Sequence, residues 1–199
     1  FADVAQALAD KMIERHPQLS KCFTGGEPEV SIFWHADGVP WKARLDYLKP
    51  RAIIDLKTFS NPYGKPIDRA ISTAMAGGRY HIQAAVYHDA AERAREFARD
   101  GRGYRYGAQL CDEDVAWFKR LAAPAEAEFV FVFQQTGNAP VAKGKLFPRG
   151  LVYDCAKVQV AHAVDLYQSH LAKFGADPWI NDGPITAFAD EEFPSYMVE

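Results

Sequence analysis

Near its start the chain alternates apolar and polar residues over three successive stretches, about Glu29 to His35, Val39 to Leu48 and Ala52 to Thr58. A period of two places alternate side chains on opposite faces, so each stretch reads as a strand. Ahead of them, Val4, Ala7, Leu8 and Met12 fall at near-helical spacing, which predicts a short amphipathic helix from Asp3 to Arg15 ended by Pro17. Beyond the strands, Ser60-Asn-Pro-Tyr-Gly-Lys-Pro66 is a loop by its glycine and prolines. Asp68 is placed to cap a helix running through Met75, Gly77-Gly78 permits a kink or break, and Arg79 to Arg99 reads as one long helix ended by Gly101 and Gly103. Arg105 to Leu121 is weakly patterned, with Cys111-Asp-Glu-Asp114 suited to cap a short helix around Trp117. Phe129 to Gln134 is continuously apolar, as expected of a strand buried on both faces. A strand near Val141 to Phe147 and a helix from Asp154 to about Phe174 complete an α/β order. At 199 residues and 48% hydrophobic the chain can bury one sizeable core, so a single domain over residues 1–199 is expected. The absence of an initiator Met leaves room for an N-terminal segment ahead of Phe1.

The chemistry concentrates in Lys42-Ala-Arg-Leu-Asp46-Tyr-Leu-Lys-Pro-Arg-Ala-Ile-Ile-Asp55-Leu-Lys57-Thr58. Within the strand Ala52 to Thr58, Asp55 and Lys57 share one face, while Ile54 and Leu56 are expected in an apolar layer on the other. The Lys49-Pro50-Arg51 turn folds the preceding strand back and can bring Asp46 beside Asp55. Two carboxylates that close repel unless a cation lies between them, and hard oxygen ligands suit Mg²⁺ or Mn²⁺ better than zinc. A lysine beside such a cation can orient water and steady the charge that grows on a phosphorane-like transition state. Taken alone, Asp-x-Lys in a strand is common and also describes a hairpin with a solvent-facing ion pair.

Further motifs change that balance. Glu29-Val-Ser-Ile-Phe-Trp, Ala43-Arg-Leu-Asp46-Tyr-Leu, Ile53-Ile-Asp55-Leu-Lys57-Thr58 and Tyr80-His-Ile-Gln83-Ala-Ala-Val-Tyr87 together resemble the PD-(D/E)XK nuclease superfamily. Within it the wording is similar to the RecB-like branch with its Gln-x-x-x-Tyr motif, and to the exodeoxyribonuclease VIII (RecE-type) group of phages and prophages. The resemblance covers residues 27 to 90, and more loosely Glu128 to Gln135 and the tail around Trp179. It implies a restriction-endonuclease-like core, a mixed central β-sheet flanked by helices. Asp46 and Asp55 then take the metal-ligand positions, the backbone carbonyl of Leu56 a further one, and Lys57 the catalytic lysine position. Gln83 and Tyr87, one helical turn apart, would reach toward the scissile phosphate or the DNA end, and Glu29 matches an acidic position with a supporting role. Mg²⁺ is the implied cofactor, with Mn²⁺ as substitute. The implied activity is hydrolysis of linear double-stranded DNA from its ends, 5′ to 3′, by a homo-oligomeric ring, for recombination or repair alongside a single-strand annealing recombinase. A histidine from an upstream helix often completes such sites, and His16, followed by Pro17, matches it poorly. Two alternatives remain open: a RecB-like nuclease of different polarity (an endonuclease or a helicase-associated domain), and a catalytically silent DNA-binding module.

A net charge of −3 looks unfavourable for a DNA-binding protein until it is divided along the chain. Residues 1 to 41 hold three Lys/Arg against six Asp/Glu, residues 42 to 105 thirteen against seven, and residues 106 to 199 seven against thirteen. The motifs therefore lie in a basic middle third, where Lys42, Arg44, Lys49, Arg51, Lys65, Arg69 and Arg79 can supply salt-dependent affinity for phosphates. Glu92, Arg93, Arg95, Glu96 and Arg99 read as an exposed helix face with local ion pairs. His81 and His88 read as surface or satisfied histidines, and Trp179, Phe188, Phe193 and Tyr196 as packing groups for the core or a neighbouring subunit. Cys22, Cys111 and Cys155 are scattered and odd in number, which fits neither a disulfide framework nor the four-cysteine iron-sulfur cluster of some relatives. No apolar run approaches the roughly 20 residues of a membrane span, so no membrane partner and a cytoplasmic location are expected. There is no phosphate loop ending in Lys-Ser/Thr and no hydrolase triad motif.

Overall fold

The structure is a computed structural model, and it describes residues 16–104, 109–123, 126–137, 141–176 and 187–197. The helix expected over Asp3 to Arg15 lies outside the described residues. The chain divides into two compact units, Phe1–Asp165 and Leu166–Glu199.

The first unit is built on a five-stranded sheet of order β1-β2-β3-β4-β5: β1 Glu27–Ala36, β2 Val39–Lys49, β3 Ala52–Ser60, β4 Glu128–Thr136 and β5 Ala142–Phe147. Strands β1, β2 and β3 are successive antiparallel neighbours, β3 and β4 run parallel, and β5 returns antiparallel to β4. The helices are α1 Pro17–Cys22, α2 Ile67–Gly77, α3 Tyr80–Arg99, α4 Asp112–Ala122 and α5, which begins at Leu151 and runs to Phe174. This is the mixed α/β sheet flanked by helices that the sequence predicts.

Burial explains the register. Ile53 and Phe59 of β3, Phe129, Phe131 and Phe133 of β4, and Leu45 and Leu48 of β2 form one core with Ala84, Ala90, Ala91 and Ala94 of α3 and Ala70 and Ile71 of α2. Alanines along one face of α3 let the helix lie close on this phenylalanine-rich surface, where ring burial dominates the energetics. On the opposite face Ile54 and Val132 are buried, and a side chain added at Gly144 would meet Leu19 of α1 at 3.0 Å.

Several local expectations change. Pro17 starts α1, consistent with proline at a first helical position, where its missing N–H costs nothing. Pro66, not Asp68, is the N-cap of α2, and the Asp68 carboxylate instead takes Lys143 at 2.8 Å and Lys145 at 2.6 Å from β5. The break between α2 and α3 falls where Gly77-Gly78 predicts it. Yet the left-handed residue is Arg79, with φ 50°. Cys111 to Asp114 does cap α4, the Asp114 carboxylate accepting the Cys111 backbone N–H at 2.9 Å. Arg95, expected on an exposed face, is buried and donates to the carbonyl of Pro50 at 2.9 Å. His88 is also buried, between the rings of Phe129 and Tyr153.

In the second unit, the rest of α5 is followed by short 3₁₀ turns at Asp190–Glu192 and Ser195–Met197. Phe188 and Phe193 pack on each other with ring centroids 5.3 Å apart, while Phe188 and Tyr196 stay exposed. Trp179 lies outside the described residues.

Candidate active site

The site forms where β2 and β3 part. Their ladder is confined to Lys49↔Ala52, Leu48↔Ile53 and Tyr47↔Ile54, next to the turn. Beyond it the Leu56 N–H has no backbone partner on β2, and the Asp46 carboxylate accepts it at 2.8 Å. A strand-edge donor is thus satisfied by a side chain, as a paired backbone requires. The cause lies in β2 itself. Leu45 and Leu48 are three residues apart yet both fully buried in the same core, so the strand changes its facing between them. The β1–β2 register lacks a partner pair at the same level, at Glu29, whose φ of 53° is left-handed. That is a costly conformation for a residue with a Cβ.

Asp55 and Lys57 do share a face of β3, but it is the core face under α3. Leu56, expected in an apolar layer, is 43% exposed, whereas Asp55 is 0% exposed. The Lys57 ammonium forms an ion pair with Asp55 Oδ2, and Gln83 Nε2 of α3 donates to Asp55 Oδ1 at 3.3 Å. Burial pushes the Asp55 carboxyl up to about 6, against the opposing pull of Lys57 and with a smaller push from the Asp46 charge. Asp46 and Asp55 therefore lie near each other beside Lys57, and Gln83, expected to reach toward DNA, is turned onto Asp55. Tyr87 lies on the same helix as Gln83, its ring 6.4 Å from that of Phe129 and partly buried.

Other candidates are engaged elsewhere. Glu29 pairs with Arg44 at 2.9 Å, both side chains well exposed. His16 is exposed at the N-cap of α1. Among the described residues no group of three or more His, Cys, Asp or Glu side chains is placed to hold a metal. Of the basic residues, Lys49 Nζ donates to the Lys21 carbonyl at 2.6 Å, and Lys42 lies over the exposed Phe33 ring at 5.6 Å.

Sequence reasoning missed Tyr80, whose ring centroid lies 5.0 Å from Lys57 Nζ. Its place three residues before Gln83, on the same helix face, was the available signal. It also missed Arg149, which approaches His88 Nδ1 at 3.5 Å and Glu92 at 2.9 Å. Burial, with Arg149 nearby, holds the His88 imidazole down to about 4, so it is neutral at physiological pH.

The donor set fits a hard divalent cation. A buried carboxylate with a second one across a strand fork offers hard oxygen ligands of the kind that Mg²⁺ or Mn²⁺ prefer.

Comparison with known proteins bears on the fold. Residues 2–99 match the family described as a PDDEXK-like domain of unknown function. No curated protein matches the chain. Among solved structures, a "Putative exonuclease" from Eubacterium rectale superposes with a TM-score of 0.50 at 15% identity, over 89% of this chain and 62% of that one. The chain thus spans less than two thirds of that protein's length. The family match spans β1, β2, β3, α2 and α3, and the solved structure shares the fold. Among the described residues no helix is long and apolar enough to cross a membrane.

Proposed function

We propose that this chain is a Mg²⁺-dependent exodeoxyribonuclease that degrades linear double-stranded DNA from its ends, 5′ to 3′, as a RecE-type enzyme of recombination or repair. The observation that carries the reading is the buried Asp55–Lys57 pair, joined by Asp46 across the β2–β3 fork and by Gln83 from α3. Asp46, Asp55 and the Leu56 carbonyl would hold the cation. Mg²⁺, with Mn²⁺ as substitute, supplies a Lewis acid that lowers the pKa of water and offsets phosphate charge. Asp46 keeps one carboxylate oxygen free of the Leu56 N–H bond for this purpose. Lys57 points its ammonium into the same space, where it can donate to the nucleophilic water or to the non-bridging oxygens as charge develops. Gln83 steadies Asp55 and, with Tyr87, would face the scissile phosphate. The exposed basic residues of the middle third would hold the flanking backbone, which gives affinity without sequence preference. Homo-oligomerisation, a single-strand annealing recombinase as partner and a cytoplasmic setting belong to the same reading.

Digestion of linear and closed-circular duplexes carrying distinguishable end labels, with Mg²⁺ or with excess chelator, tests it. The expected result is metal-dependent release of the 5′ label first, a 3′ single-stranded product, and little attack on closed circles. Lys57→Ala should lower turnover by about 10²-fold or more while leaving Mn²⁺ affinity intact. Cleavage in chelator, or wild-type turnover by Lys57→Ala, would overturn the site. Nicking of closed circles would favour an endonuclease, and first release of the 3′ label would reverse the polarity.

A further inference from the structure

We propose that Tyr80 is a positioning residue for Lys57, its ring forming the platform that holds the lysine ammonium against Asp55; the functional part of this inference rests on Lys57 acting in DNA hydrolysis. A lysine has a flexible four-carbon stem, so a useful donor at its end must be held by its surroundings. Here the Lys57 side chain is only 14% exposed, with Asp55 Oδ2 on one side and the Tyr80 ring face 5.0 Å away on another. A cation over an aromatic face is attracted by the ring quadrupole, most strongly where water is excluded.

The ring is itself fixed by three separate features. Its centroid lies 6.2 Å from Phe131 and 6.4 Å from Phe133, the residues that pair with Asp55 and Lys57 in the β3–β4 register. At Gly78 a Cβ would collide with the ring, so glycine is required there by the space Tyr80 occupies and not by its own backbone angle. Arg79 then adopts the left-handed φ of 50°, which lets α3 begin at Tyr80 immediately after α2 ends. A glycine, a strained arginine and two phenylalanines thus converge on a single ring pose, and that ring meets the lysine of the site.

The test compares Tyr80→Phe, which keeps the ring face, with Tyr80→Leu, which removes it. Tyr80→Phe should keep kcat within about twofold of wild type, while Tyr80→Leu should lose about tenfold in kcat, with KM for DNA ends and Mn²⁺ affinity unchanged. In a Lys57→Ala background, Tyr80→Leu should cost nothing further. A readout independent of activity is the ring-current shift of the Lys57 side-chain methylene resonances in lysine-labelled protein. The shift should be present in wild type and Tyr80→Phe and absent in Tyr80→Leu. Should Tyr80→Leu fail to fold, Tyr80→Met carries the same comparison. Equal damage from Tyr80→Phe and Tyr80→Leu would overturn the platform role, as would a Lys57 resonance that ignores the ring. If Lys57→Ala retains wild-type turnover, the nuclease reading of Lys57 fails, while the resonance still decides whether Tyr80 holds it.

Discussion

Strand β3 is held very differently on its two sides. Toward β4 its ladder is unbroken from Ala52↔Glu128 to Ser60↔Thr136, and toward β2 it stops after Tyr47↔Ile54. The continuous side buries Phe129, Phe131 and Phe133 and serves the core. The forked side carries Asp46 and a buried Asp55 paired with Lys57. The same strand is thus a structural element on one flank and a chemical one on the other, so damage on the two flanks should show in different measurements.

The largest effect is expected on the forked flank. Asp46→Ala or Asp55→Ala should abolish both Mn²⁺ binding, followed by titration calorimetry, and DNA hydrolysis; Asp55→Ala should also lower the urea midpoint, since it leaves the largely buried Lys57 ammonium without its partner. Retained metal affinity in both variants would move the cation elsewhere. On the paired flank, Phe131→Ala should do the reverse. It should cost about 3–5 kcal/mol of stability in urea unfolding, with Mn²⁺ affinity unchanged wherever the variant remains folded.

A pH series sharpens the contrast. Asp55 titrates at about 6 in the folded chain against an ordinary value of 3.8, so the folded state binds the extra proton between those limits. Its contribution to stability therefore falls as pH rises through that window. His88 works the other way: its value of about 4 against an ordinary 6.5 makes its contribution rise with pH over nearly the same range. The two oppose, and stability alone will not isolate Asp55. Cation affinity will, because the cation must displace the Asp55 proton. Mn²⁺ affinity should weaken by up to about tenfold for each pH unit below 6, and a flat affinity from pH 5 to 7 would contradict the buried-carboxylate account. The smallest effect is expected from Gln83→Ala and Tyr87→Ala, which should slow digestion of duplex ends by more than they weaken Mn²⁺ binding. Equal losses in the two assays would make these residues structural.

The forked flank was largely legible in the sequence, because Asp46, Asp55, Lys57 and Gln83 sit in contiguous motifs whose spacing survives folding. The strands were legible for a similar reason: Val39 to Leu45 alternates, and the Lys49-Pro50-Arg51 turn separates the two runs, which places them within a few residues. What escaped depends on contacts distant in sequence. Nothing local to Asp55 says that α3 will cover its face, and alternation alone favoured Leu56 as the buried neighbour. Arg95 looked like one charge among several on a solvated face, since its partner is a carbonyl 45 residues away. Asp68 had the right position for a cap, but two lysines of β5 compete for its carboxylate and win.

Helix α3 touches the strand pair at two places. Gln83 reaches Asp55 inside the fork, and Arg95, twelve residues later, grips the Pro50 carbonyl at the closed end of the β2–β3 hairpin. At 1.5 Å per residue those grips are about 18 Å apart along the helix axis. The helix therefore ties the closed end of the hairpin and its open fork to one rigid element, so the spacing between turn and carboxylate is set by helix rise as well as by the strands.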